Sequence, residues 1–196
     1  MDDVLGYCTA LGLATAAGLN AWVPLLATGM LARWTGWIDL DGSWDALERT
    51  PVLLGLGAVA AADFVGDKIP AVDHALHAAG TVIAPVTGVL AGLASTGTLD
   101  VSPAAITVVG LVAAETAHGT RMAIRPFSTA TTAGAGNPVL SLIEDAVSVS
   151  LSFAAIALPL LALLLVLALF AGAWIALRRL RERARRRARA RAPAGP

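Results

Sequence analysis

Cysteine is almost absent from this sequence: Cys8 stands alone, which excludes an intramolecular disulfide and a thiolate metal site. Charge is scarce as well. Only 14% of the 196 residues are charged, against 57% hydrophobic and a mean hydropathy of +0.72, far from the roughly 25% charged residues of a soluble domain. Aromatic residues make up 5% and lysine occurs once, at Lys68. No glycine-rich phosphate loop ending in Lys-Ser/Thr, no His-Glu-x-x-His and no nucleic-acid module is present. Ser141, His118 and Asp145 could suggest a hydrolase, but no nucleophile-elbow sequence or strand accompanies them. The start, MDDVLGYC, has no positively charged region before its apolar run, so that run is expected to be retained.

What remains is a chain suited to lipid. A bilayer core about 30 Å thick needs roughly 20 apolar residues per helix. The pattern predicts an all-α polytopic membrane helix bundle of about six transmembrane segments, at about 5–34, 51–67, 81–97, 103–123, 138–157 and 159–177. The first run is too long for one straight crossing, and GLNAWVP at 18–24 should break or kink it. PFSTATTAGAGN, at 126–137, reads as a loop that could dip into the protein, so broken or re-entrant helices are expected. Residues 1–177 then form one membrane domain, and 178–196 an Arg-rich, disordered cytoplasmic tail.

The formal net charge of zero is divided along the chain. Residues 1–177 hold 5 Lys+Arg and 13 Asp+Glu, whereas the last 19 hold 9 Arg and one Glu. Arginines beyond a membrane helix mark the cytoplasmic side and attract anionic lipid head groups. Six crossings place both termini inside, with Lys68, Arg121 and Arg125, and leave Asp39, Asp41, Asp45, Glu48 and Asp100 outside.

Asp63, Glu115 and Glu144 are predicted at a similar level, each about 7–9 Å from the residue that ends or begins its helix on the inner side. Asp63 and Asp67 share a helix face, as do Glu115 and His118, while Asp145 adjoins Glu144. A charge in the bilayer interior costs at least about 2.5–3.5 kcal/mol on insertion scales, and such residues usually face the bundle and mark ion or proton pathways. The candidate ion-binding or proton-relay set is therefore Asp63, Asp67, Glu115, His118, Glu144 and Asp145, with Asn20 and Asn137 as accessory ligands. Carboxylates with an amide carbonyl or imidazole suit a divalent cation, Mg²⁺, Ca²⁺ or Mn²⁺, for which Asp63, Glu115 and Glu144 are the metal ligands. The plainer readings make Asp67 an interfacial partner of Lys68, His118 a packing residue, and Asp73, His74 and His77 the polar face of a short interfacial helix. Asp63, Glu115 and Glu144 would then serve in helix-to-helix hydrogen bonds.

AVAAADFVGDK lies over LVAAETAHGTR when Lys68 is set against Arg121, and a 17-residue step then leads to Pro85 and to Pro138. An internal repeat, parallel or inverted, is the expectation, and transporters often bind substrate between such units. GVLAG, at 88–92, predicts close helix approach without chemistry.

DFVGDKIPAVDH, APVTG and GNPVLSLIEDAVS together resemble recurrent segments of domain-of-unknown-function family 4126, over most of residues 5–160. The resemblance implies a small multi-pass protein of the bacterial plasma membrane and carries no activity with it. More loosely, DFVGDKI resembles half of the E-x-G-D-[KR]-[ST] motif of calcium/manganese–proton exchangers, with Asp63 in place of Glu and Ile69 in place of Ser/Thr. The expected function is a transporter or channel-like protein for a cation, proton-coupled in one form, with lipids and a small cation or proton as partners and no nucleic acid. A homo-oligomer is compatible with it. The alternative is a non-transporting scaffold or lipid-interacting protein; an intramembrane enzyme ranks third.

Overall fold

The computed structural model describes residues 2–67 and 70–191, and every regular element among them is helical. Lys68, and the side chains of Asp73, His74 and His77, lie outside the described residues.

Helix α1, Asp2–Leu19, opens with two acids that complement the positive end of its dipole. From residue 12 to residue 20 every position is buried, because α1 is the post against which α4, α5, α6 and α7 pack. The break expected within 18–24 falls at residues 20–22. Asn20 Oδ1 accepts from the amides of Trp22 (3.1 Å) and Val23 (3.3 Å), and Pro24 sits in the first turn of α2, Val23–Thr35. The latter ends at Gly36, whose φ of 63° glycine adopts without a Cβ clash. A 3-10 segment, Gly42–Glu48, meets α3, Thr50–Gly66, at 64°. Arg33 ties this corner down, donating from Nη1 to the Glu48 carbonyl (2.9 Å) and the Thr50 hydroxyl (2.8 Å).

Helix α4, Pro70–Thr96, begins eleven residues before the predicted span and runs through Pro85. The short interfacial helix expected around Asp73 is its first part. Helix α5, Pro103–Thr132, overturns the loop expected at 126–137: Pro126 lies inside the helix, and only residues 133–136 form a turn. Thr131 and Thr132 donate their hydroxyls to the Phe127 and Ser128 carbonyls at 2.7 and 2.8 Å, side-chain bonds back onto the last turns of the helix. Ala133 (φ 51°) and Gly134 (φ 89°) then reverse the chain into α6, Asn137–Ala157. After Leu158, α7 runs Pro159–Arg191, carrying helix into the segment expected to be a disordered tail.

Small residues set the helix spacing. A Cβ on Gly88 would come within 2.9 Å of Ala114 Cβ and 3.3 Å of Ala14 Cα, and one on Gly92 within 3.1 Å of Ile106 Cγ2. The close approach expected of GVLAG is thus real, and it locks α4 between α1 and α5. Interhelical hydroxyls add to this: Thr9 donates to the Ala155 carbonyl and Ser148 to the Ala16 carbonyl, both at 2.9 Å.

Three described helices are long and apolar enough to cross a membrane: Ala78–Thr96, Asn137–Ala157 and Pro159–Arg183. The bent pair ending in α3 makes up to four. Six crossings would also need α1 with α2, and α5, whose lower half carries Arg121 and Arg125.

Candidate functional site

The polar residues of four helices meet at one level of the bundle. The end of α1 contributes Asn20, the end of α3 Asp63 and Asp67, the second half of α5 His118, Arg121 and Arg125, and the first half of α6 Ser141, Glu144 and Asp145. On α5 the inward stripe runs Ala114, Ala117, His118, Arg121, Arg125; on α6 it runs Ser141, Glu144, Asp145, Ser148, Ser152. Recurrence every three or four residues is the helical period, so each set lies on one face.

The two arginines are the centre. Arg121 donates through Nη2 to Asp67 Oδ2 and through Nη1 to the Leu19 carbonyl (2.9 Å), while its Nε lies 2.7 Å from Glu144 Oε2. Arg125 Nη2 is 2.9 Å from Glu144 Oε2 and 3.5 Å from Asp67 Oδ2. Ser141 donates its hydroxyl to Asp67 Oδ2 at 2.9 Å. All four charged side chains are at most 9% exposed, so the charges are held by one another rather than by water. Burying such groups costs several kcal/mol per ion, and only a well-bonded arrangement offsets it.

Two more carboxylates border this neutral quartet. Asp145, 8% exposed, accepts from Asn20 Nδ2 at 2.9 Å through Oδ1, and its buried Oδ2 has no hydrogen-bond partner among the described residues. Asp63 is within electrostatic reach of Asp67, Arg121, Asp145 and Arg125, but has no ion-pair partner within 4 Å among the described residues. Four carboxylates therefore surround two guanidiniums.

Asp63 and Asp67 line a cavity of about 270 Å³ with His118 and Arg121; the other described residues that line it, from α1, α3 and α4 and the α1–α2 break, are apolar. A second cavity, about 410 Å³, lies between α5, α6 and α7 and is apolar except for Thr120, Arg121 and Glu144. Arg121 lines both.

The remaining predicted residues fall elsewhere. Glu115 is exposed, about 100° round the helix from the buried Ala114, and is not brought to Asp63 and Glu144. Asn137 sits at the α5–α6 turn, where its Nδ2 donates to the Thr129 hydroxyl at 2.9 Å. His118 is buried, its ring against α4 at Gly80, where a Cβ would come within 2.6 Å of Cε1. Among the described residues no group of three or more His, Cys, Asp or Glu is arranged to hold a metal ion.

The profile of a family described as a domain of unknown function (DUF4126) matches residues 7–179. The chain belongs to the DUF4126 family. Every residue of the charge cluster lies within the family match, and the arginine tail lies almost wholly outside it. No curated protein and no solved structure matches the chain.

The sequence placed Arg121 and Arg125 on the cytoplasmic side and offered Ser141 only in a hydrolase set that nothing else supported, not as a partner of Asp67. The missed signal was phase: both arginines continue the Ala114, Ala117, His118 stripe, whereas Glu115 departs from it.

Proposed function

We propose that this chain is a membrane transporter or channel-like protein for a cation, with proton coupling as one form of the activity. The observation that carries the reading is the unequal charge of the cluster. Arg121 and Arg125 pair with Asp67 and Glu144, which leaves Asp63 and Asp145 without an ion-pair partner within 4 Å among the described residues. A cation or protons entering beside Asp63 would supply the missing positive charge, and intramembrane acids of this kind commonly mark such pathways.

The position of Arg121 adds a route. Its ion pairs stand between the cavity that Asp63 lines and the cavity between α5 and α7, so loosening them as charge arrives would join the two. Six crossings, cytoplasmic termini in a bacterial plasma membrane, and an internal repeat of the α3 and α5 units belong to this proposal, as does binding of lipid head groups by the arginine tail. The scaffold reading draws on one observation: Arg178, Arg179, Arg181 and Arg183 are all exposed beyond the apolar part of α7.

The test is ion flux into proteoliposomes, followed with internal pH and divalent-ion dyes, for wild type, Asp63→Asn and Glu115→Gln. Flux is expected in wild type and Glu115→Gln and lost in Asp63→Asn. Wild-type flux through Asp63→Asn would overturn the reading.

A further inference from the structure

We infer that the cation taken by the Asp63 cavity is a small organic one, an ammonium or guanidinium carrying apolar groups, rather than a bare metal ion. The inference rests on the cation reading and names its substrate class.

The cavity is built unlike a metal site. Mg²⁺ and Ca²⁺ need about six or more oxygen ligands, but among the described residues eleven of the fifteen that line it are Ala, Gly, Val, Leu, Ile or Trp. No described cluster of ligating side chains is arranged for a metal, and Asp67 is already held by Arg121, Arg125 and Ser141. Its volume of about 270 Å³ is about nine times the roughly 30 Å³ share of a water molecule in the liquid. That space is just below the roughly 300 Å³ at which drug-sized pockets begin, which suits a compact molecule with a few apolar substituents.

The chemistry of the walls agrees. Asp63 supplies the counter-charge and the aliphatic lining accepts alkyl groups. Trp22 also lines the cavity, and indole is the aromatic that best attracts quaternary ammonium. The cluster already holds two organic cations of its own, since Arg121 and Arg125 are guanidiniums bound by carboxylates in the same low-dielectric setting. At the α3 rim, Val59 and Ala62 are part of the lining and partly or fully exposed, so these positions can be enlarged without disturbing the core.

The experiment is solid-supported-membrane electrophysiology on proteoliposomes, with concentration jumps of tetramethylammonium, methylguanidinium, Na⁺, Mg²⁺ and Mn²⁺ and of pH. The proteins are wild type, Asp63→Asn, Ala62→Phe and Val59→Trp, each confirmed as folded and monodisperse. Organic cations are expected to give wild-type currents that vanish in Asp63→Asn and fall at least about tenfold in one or both rim variants. Currents from inorganic ions or protons alone would overturn this inference and leave the cation reading standing. Organic-cation currents undiminished in both folded rim variants would overturn the placement in this cavity. Silence toward every ion from folded wild type would overturn both.

Discussion

At the scale of single residues, the arginines decide the stability of the cluster. Removing one partner from a buried ion pair leaves an uncompensated charge and costs about 3–5 kcal/mol. Arg125→Ala leaves Glu144 to Arg121 alone and weakens the hold on Asp67, and is therefore expected to lower the unfolding midpoint in detergent by up to about that free energy. Glu115→Gln is the control: this side chain is exposed, and a surface change away from such features stays within about 0.5 kcal/mol. Asn20→Ala removes the acceptor of the Trp22 and Val23 amides and the donor to Asp145. Leaving a buried group unsatisfied costs about 1–3 kcal/mol, more when it is charged, so a loss toward the upper end of that range is expected in the same assay.

At the scale of elements, the critical contact is the end of α1 against α5. A Cβ on Gly18 would lie 2.3 Å from the Ala114 carbonyl oxygen and 2.5 Å from Ala117 Cβ. Gly18→Ala must push these backbones apart, at about 1–3 kcal/mol for overpacking, and it withdraws the Leu19 carbonyl that receives Arg121. The variant should unfold more readily and also transport less, as flux normalised to folded protein would read. Much of this level was legible in the sequence. Gly18 and Pro24 announced the break in the first helix, and Gly88 and Gly92 announced the tight packing of α4. The course of α5 past Pro126 was not legible, because a proline followed by small and hydroxyl residues reads equally as a loop or as a kinked helix. The cluster itself was half legible. Asp63, Asp67, Glu144 and Asp145 could be picked out as acids in apolar runs, but which basic residue faces them depends on how α3, α5 and α6 are rotated against one another. Arg121 near a helix end satisfies the positive-inside pattern equally well whether it points to water or to Asp67.

At the scale of the whole molecule, a central α1 with small side chains allows α4, α5, α6 and α7 to close around it, and this brings α3, α5 and α6 to one charged layer flanked by two cavities. Among the described residues this layer holds four carboxylates against two guanidiniums, a surplus that a cation is proposed to compensate. The most direct measurement is the charge displaced when folded protein in proteoliposomes meets a cation or proton jump, compared between wild type and Asp63→Asn. A displacement current is expected in wild type and is abolished in Asp63→Asn while the protein stays folded. An equal current from the two proteins, or none from wild type for any cation or proton, would contradict it.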